Sequence, residues 1–114
     1  MKRLRWAFGI AVAVVSVFLV DFCAVVFRCG CRSLWNGIAT YCNIHAASGP
    51  HCPWCEHPLA GGGVAFGITV LAQWVVIFLP KNMSLGKRWV LAVLAFPLAA
   101  GSAALVQGFI WGYW

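Results

Sequence analysis

Three long blocks of apolar residues dominate this chain of 114 residues and leave it very few folds. The blocks cover residues 7–27, 61–80 and 89–112, and Asp21 is the only charged residue inside them. A helix needs about 20 such residues to cross the hydrocarbon core of a bilayer. Only 9% of the residues are charged, whereas ordinary soluble domains carry about 25%. We therefore predict an all-α integral membrane protein, a single membrane domain of three transmembrane helices embedded in the lipid bilayer.

The N-terminal segment places basic residues ahead of an apolar block, as secretory signal peptides do. However, this block is long for a signal peptide, and no small-x-small cleavage site follows it. Cys23 also lacks the small preceding residues that lipoprotein processing requires, because Asp21 and Phe22 stand there. We therefore expect the first block to remain as a membrane span.

The basic residues predict the orientation of the helices. Six precede the first block or lie between the second and third, namely Lys2, Arg3, Arg5, Lys81, Lys87 and Arg88. The loop between the first two blocks holds only Arg28 and Arg32. Because cytoplasmic segments are enriched in Lys and Arg, we expect the N-terminus and the link 80–88 in the cytoplasm and the C-terminus outside. The loop 28–60 then lies on the periplasmic or extracellular side of the inner (plasma) membrane. Orientation accounts for the positive charge, so we expect no nucleic-acid partner.

Small residues recur at four-residue spacing on two of the predicted helices. They are Gly63 and Gly67 in the second helix, and Ala100, Ala104, Gly108 and Gly112 in the third. Such residues let helix backbones approach closely, which favours association in lipid. Three helices enclose little interior, so the pattern predicts internal packing and also contacts with other membrane subunits or a second copy. For Gln73 and Gln107 we expect interhelical hydrogen bonds.

Asp21 lies within the first predicted span, short of its outer end. An ionisable residue at that depth indicates a functional site. The alternative is that its carboxylate reaches the outer headgroups, with Arg28 on the same helix face seven residues later.

The predicted outer side concentrates all the cysteines and histidines of the chain. They are Cys23 at the end of the first helix, then Cys29, Cys31, Cys42, His45, His51, Cys52, Cys55 and His57 in the loop. Oxidising compartments favour disulfides, and an even number of cysteines suits them. One interpretation is therefore a loop without a core of its own that is stapled by three disulfides.

A second interpretation is a metal site. Cys42 and His45 form one pair with a two-residue gap, and Cys52 and Cys55 form another. Together these four side chains match the ligands of a tetrahedral zinc site. Thiolate-rich sets also suit copper(I) or an iron–sulfur cluster. Further candidate ligands in the same loop are Cys29, Cys31, His51 and His57.

A third interpretation is thiol–disulfide chemistry at Cys52-Pro-Trp-Cys55. This motif resembles the outward cysteine pair of the membrane disulfide-generating oxidases, which pass electrons to quinone. The resemblance covers four residues and implies Cys52 and Cys55 as catalytic thiols. Those oxidases are four-helix bundles with a second cysteine pair, whereas this chain has three predicted spans and no cysteine after Cys55.

The sequence thus favours a small membrane subunit of a larger assembly. Its outward Cys/His module is expected to bind a metal or redox centre, or to be disulfide-stapled for docking. The alternatives are the quinone-linked thiol oxidoreductase and a small metal-ion transporter that uses Asp21 and Cys23.

Overall fold

The computed structural model describes residues 1–38 and 40–114, and every regular element in this part of the chain is helical. Three helices are long and apolar enough to cross a membrane, which confirms the predicted number of spans. Helix α1 covers Lys2–Phe27, α3 covers Val64–Phe78 and α4 covers Leu85–Ile110. The short helix α2, Pro53–Glu56, lies between the first two. A π-helical segment, Pro58–Gly63, leads directly into α3.

Helices α1 and α4 begin five and four residues before the predicted blocks, because a helix continues through the polar interface before it reaches hydrocarbon. The π-helical segment that leads into α3 begins three residues before the second block. Lys2 is already helical in α1. At the start of α4 the Ser84 hydroxyl accepts a hydrogen bond from the backbone N–H of Lys87, a side-chain N-cap that an apolar block does not reveal.

The three long helices run up, down and up. The first half of α1 packs with the end of α3 and the start of α4 through Ala11, Ile77 and Ala92. The end of α1 packs with the starts of α2 and α3 and the second half of α4. The 28–57 region and the short α3–α4 link therefore lie at opposite ends of a molecule 52 Å long.

The small residues of α4 serve packing within the unit. Ala100, Ala104 and Gly108 are buried, whereas Gly112 follows the helix with a positive φ of 64°. By contrast, Gly67 on α3 is exposed, and a Cβ built there meets nothing within 4 Å. The two stripes thus differ: one packs internally and the other faces outward.

Both intramembrane glutamines make the predicted interhelical hydrogen bonds. The Gln73 side chain on α3 donates to the carbonyl of Ala92 on α4 over 3.2 Å. The Gln107 side chain on α4 donates to the carbonyls of Ala60 and Gly61 at 3.2 and 3.0 Å, in the segment that leads into α3. These bonds hold the α3–α4 hairpin at both of its ends.

Arg88 has a structural role that the orientation argument did not include. Its guanidinium is buried and donates to the carbonyls of Ile77, at 2.6 Å, and of Pro80, while Nε donates to the carbonyl of Met83 at 3.1 Å. These carbonyls belong to the end of α3 and the link, where no further helical turn satisfies them. Arg88 therefore holds the α3–α4 link closed.

Candidate metal centre

All six cysteines meet at one end of the helix bundle. Cys23 lies on the last turns of α1, which ends at Phe27 because Arg28 adopts a left-handed conformation with φ of 49°. This reversal brings the following chain back against Cys23. Two others come from α2: Cys52 is its N-cap residue and Cys55 lies within its single turn.

Gly30 allows the close passage of the loop between Cys29 and Cys31. Its φ is +87°, and a Cβ at this position would lie 2.5 Å from the carbonyl oxygen of Tyr41. Only glycine combines this conformation with this approach. The contact brings the segment carrying Cys42 beside Cys29 and Cys31.

The sulfur atoms are close, and none of the six cysteines forms a disulfide. Cys23 Sγ lies 3.3 Å from Cys52 Sγ and 3.7 Å from Cys29 Sγ. Cys31 Sγ lies 3.3 Å from Cys29 Sγ and 3.1 Å from Cys55 Sγ. A disulfide bond is about 2.05 Å long, whereas sulfurs on one tetrahedral zinc ion, each about 2.3 Å from the metal, lie about 3.8 Å apart. The observed distances of 3.1 to 3.7 Å are therefore too long for a disulfide and approach the spacing of thiolates around a shared metal.

The sulfurs fall into two sets of four, within each of which all atoms lie within 4.8 Å of one another. The first set is Cys23, Cys29, Cys52 and Cys55. The second set is Cys29, Cys31, Cys42 and Cys55. Either set has the number and type of ligands that a tetrahedral thiolate site requires.

Five of the thiols are buried and Cys55 is half-buried. Burial raises the pKa of the Cys31 and Cys42 thiols above their ordinary value. In the metal-free protein these thiols therefore hold their protons at neutral pH. A metal ion that binds here displaces protons, as it does at other thiolate sites.

Asn43 connects three segments of the site. Its side-chain oxygen accepts a hydrogen bond of 2.7 Å from the backbone N–H of Cys52, and its backbone N–H donates to the carbonyl of Cys29 at 2.7 Å. Its side-chain nitrogen donates to the hydroxyl of Tyr113 at 3.0 Å. That hydroxyl in turn donates to the carbonyl of Phe27, at the end of α1. Asn43 was not among the residues predicted from the sequence, although a polar residue directly after a cysteine is the kind of residue that orients a ligand.

Trp54 anchors α2 to the bundle. Its indole N–H donates to the side-chain oxygen of Gln107 over 2.5 Å, and its ring packs edge-on against Phe27. Gly61 lies directly beneath, because a Cβ there would be 2.5 Å from the carbonyl oxygen of Pro53. The position of Cys52 and Cys55 is thus fixed by contacts of α2 with the π-helical segment and with α4.

The histidines do not take part in either set of four ligand atoms. His51 lies 3.8 Å from Glu56 and contacts the carbonyl of Ala46. His57 stacks on Trp111 with ring centroids 4.8 Å apart, and His45 ends a short 3-10 turn on the surface.

The ligand combination predicted from spacing is therefore only partly brought together. Cys42, Cys52 and Cys55 are in the cluster. His45 is in neither set of ligand atoms. The cluster instead contains Cys29 and Cys31, which were predicted as further candidate ligands, and Cys23, which was not predicted as a metal ligand.

Asp21 contacts the loop rather than an arginine. Its carboxylate accepts a hydrogen bond of 2.6 Å from the hydroxyl of Ser33, whereas Arg28 is exposed. The second carboxylate oxygen is buried and has no hydrogen-bond partner among the described residues. Asp21 therefore joins α1 to the loop, just below the thiols.

An apolar cavity of about 260 Å³ adjoins the cluster. Cys23, Cys31 and Cys55 line it together with apolar side chains that include Leu19 and Trp54.

No family model, curated protein or solved structure matches this chain.

Proposed function

We propose that this chain is a small integral membrane subunit that holds metal through a cluster of cysteine thiolates at the outer end of its helices. The observation that carries the proposal is the convergence of all six cysteines, with four sulfur–sulfur distances between 3.1 and 3.7 Å. Soft thiolate ligands select zinc, copper(I) or iron–sulfur centres. Burial of five thiols supports the same function, since it shields them from oxidants.

The deciding measurement is the intact mass of the folded, detergent-purified protein after alkylation without reductant, with and without chelator; a denatured sample, alkylated in the same way, counts the cysteines that are not oxidised. The metal content per chain is determined on the same sample. We expect bound metal, and alkyl adducts on the cysteines only when chelator is present. No adducts even after denaturation would establish disulfides, and a protein without bound metal whose cysteines are alkylated equally with and without chelator would establish free thiols; either result contradicts the proposal.

We also propose that the cluster lies on the outer face of the membrane. Lys81 and Lys87 lie at the opposite end of the bundle, where the positive-inside rule favours the cytoplasm. Alkaline phosphatase fused after Trp114 should therefore be active, and the same enzyme inserted beside Lys81 should be inactive. The reverse pattern would place the cluster in the cytoplasm.

Membership of a larger assembly is supported by exposed apolar residues both on a spanning helix and in the loop. Gly67 and its neighbour Ile68 face outward from α3, and Trp35 and Tyr41 are exposed in the loop. Exposed aromatic residues outside the span favour a protein partner or the headgroup region. Gentle solubilisation should recover the chain in a complex larger than the monomer, and a strictly monomeric species would contradict this part.

A thiol oxidoreductase is the second candidate, and one observation favours it. Cys55 is the most accessible thiol and borders the apolar cavity, where a lipid-soluble electron acceptor would reach it. Against this, Cys52 is fully buried and its sulfur lies 3.3 Å from that of Cys23. Quinone-dependent oxidation of a thiol substrate that is lost in Cys55→Ser would favour the enzyme over the metal centre.

A further inference from the structure

We infer that the cluster binds two divalent metal ions of the zinc type, which share two bridging thiolates. This inference rests on the proposed metal-binding function and specifies its ligands. Cys29 and Cys55 are the bridging residues. Cys23 and Cys52 complete one tetrahedron, and Cys31 and Cys42 complete the other.

The two overlapping sets of sulfurs carry the inference. They have two members in common, Cys29 and Cys55, and each set adds a different pair. The first added pair is itself close, with 3.3 Å between the sulfurs of Cys23 and Cys52. On the second side, Cys31 Sγ lies within 3.3 Å of both shared sulfurs. Two tetrahedra that share one edge have this arrangement of ligands.

The number of cysteines supports the same conclusion. Two separate four-thiolate sites would need eight cysteines, and the chain has six. A single site at the first set would leave Cys31 and Cys42 buried without a metal, although Cys31 contacts two of its ligands. Two ions with a shared pair use all six cysteines as ligands and leave none without a metal.

The charge balance is favourable for a buried site. Six thiolates and two divalent ions give a net charge of −2, whereas two separate four-thiolate sites would give −4 in total. Burial penalises uncompensated charge, so sharing lowers that penalty. The two arginines of the loop, Arg28 and Arg32, flank the segment from Cys29 to Cys31 in the sequence. Loading of the fully protonated cluster releases six protons: two M²⁺ and six thiols give the M₂S₆ centre and six H⁺.

The test uses the full chain in detergent, with its metal content measured as purified and after replacement by cobalt(II). We expect two zinc ions per chain, no inorganic sulfide, and a thiolate-to-cobalt absorption band that saturates at two equivalents. Thiolate bridges couple the spins of two cobalt(II) ions, so the magnetic moment per cobalt should be lower in the fully loaded protein than at low loading. This measurement uses the unmodified protein, so its outcome does not depend on whether a variant folds.

Two serine variants then separate bridging from terminal ligands. Cys23→Ser removes a terminal ligand and should leave one tightly bound ion, with spin coupling abolished. Cys29→Ser removes a ligand of both ions and should weaken both.

The remaining outcomes distinguish the inference from the proposed function. One ion per chain, or two uncoupled cobalt ions, would overturn the shared centre and leave a metal-binding protein. Four copper ions per chain or stoichiometric inorganic sulfide would overturn it in favour of a cuprous or iron–sulfur cluster. A metal-free protein with oxidised cysteines would overturn both.

Discussion

Replacement of Gly61 by alanine tests how tightly α2, which carries two of the cluster's cysteines, packs against the segment that leads into α3. The new Cβ would lie 2.5 Å from the carbonyl oxygen of Pro53 and 3.1 Å from the Cα of Trp54. Both are backbone atoms of α2, so no side-chain rotation relieves the contact. Either α2 moves away from the start of α3 or the hydrogen bond between Trp54 and Gln107 is stretched.

The expected effect is large enough to measure. Insertion of one methyl group into a packed site that cannot relax costs about 1–3 kcal/mol. This lowers the folding equilibrium constant by about 5- to 150-fold. Because Cys52 and Cys55 move with α2, Gly61→Ala should also release metal at a lower chelator concentration than the unmodified protein.

The matched control is Gly67→Ala, two turns along the same helical segment, where the new Cβ meets nothing within 4 Å. Reversible unfolding in mixed micelles, followed by tryptophan fluorescence, measures the stability of both variants. Gly67→Ala should unfold like the unmodified protein. If Gly61→Ala also unfolds like the unmodified protein and retains its metal equally well, the tight contact between α2 and the π-helical segment at Gly61 is refuted.

Three other changes test separate parts of the molecule. Arg88→Ala should destabilise the α3–α4 hairpin by about 1.5–3 kcal/mol or more in micelle unfolding, because it removes charged hydrogen bonds to buried carbonyls. Asn43→Ala should accelerate metal release to a chromophoric chelator, because it frees the backbone of Cys52. In chelated, reduced protein the folded state holds the protons of Cys31 and Cys42 more tightly than the unfolded state, whose thiols titrate near 9.0. Its stability should therefore fall as the pH rises through that value, whereas the loaded protein should lose metal as the pH falls.

Exposed neighbours provide the controls for these variants. Lys87→Ala removes an exposed charge next to Arg88, and Asn36→Ala removes an exposed amide in the same loop as Asn43. Equal effects of Arg88→Ala and Lys87→Ala would show that only charge matters at the link. Equal metal release from the two asparagine variants would exclude a specific role for Asn43. A metal-free protein whose stability does not change above pH 9.0 would contradict the burial of the loop thiols.

The sequence was sufficient for the helices and for the presence of a cysteine cluster. Hydrophobicity over about 20 residues is a strong signal, and polar side chains such as Gln73 have few partners in lipid other than a neighbouring helix. It was not sufficient for the ligand set. Cys23 reaches the cluster only because Arg28 takes a left-handed conformation, which glycine or asparagine usually announces and arginine does not.

The histidines were predicted as candidate ligands but lie outside both sets of ligand atoms. The spacing of His45 from Cys42 matched a chelating pair, but spacing along the chain does not fix where a loop turns. The loop turns at Gly30, whose contact with Tyr41 aligns Cys42 with the cysteines that precede it. The thiol-rich set therefore depends on one glycine and one arginine conformation rather than on the gap between Cys42 and His45, whereas the gap between Cys52 and Cys55 does place both thiols in one set.

The burial pattern of the loop indicates what the cluster does for the fold. Among the described residues from 28 to 51, the only buried ones are Cys29, Cys31 and Cys42. A segment of this length without an apolar core does not hold one conformation by itself, and small structures of this kind depend on disulfides or metal ions. The thiols are therefore the core of the loop, and whatever links them also fixes Cys23 of α1 to α2. A metal centre at this position joins α1 to the loop and α2, and Trp54 of α2 is in turn hydrogen-bonded to Gln107 of α4. Arg88 closes α3 onto α4 at the other end of the molecule.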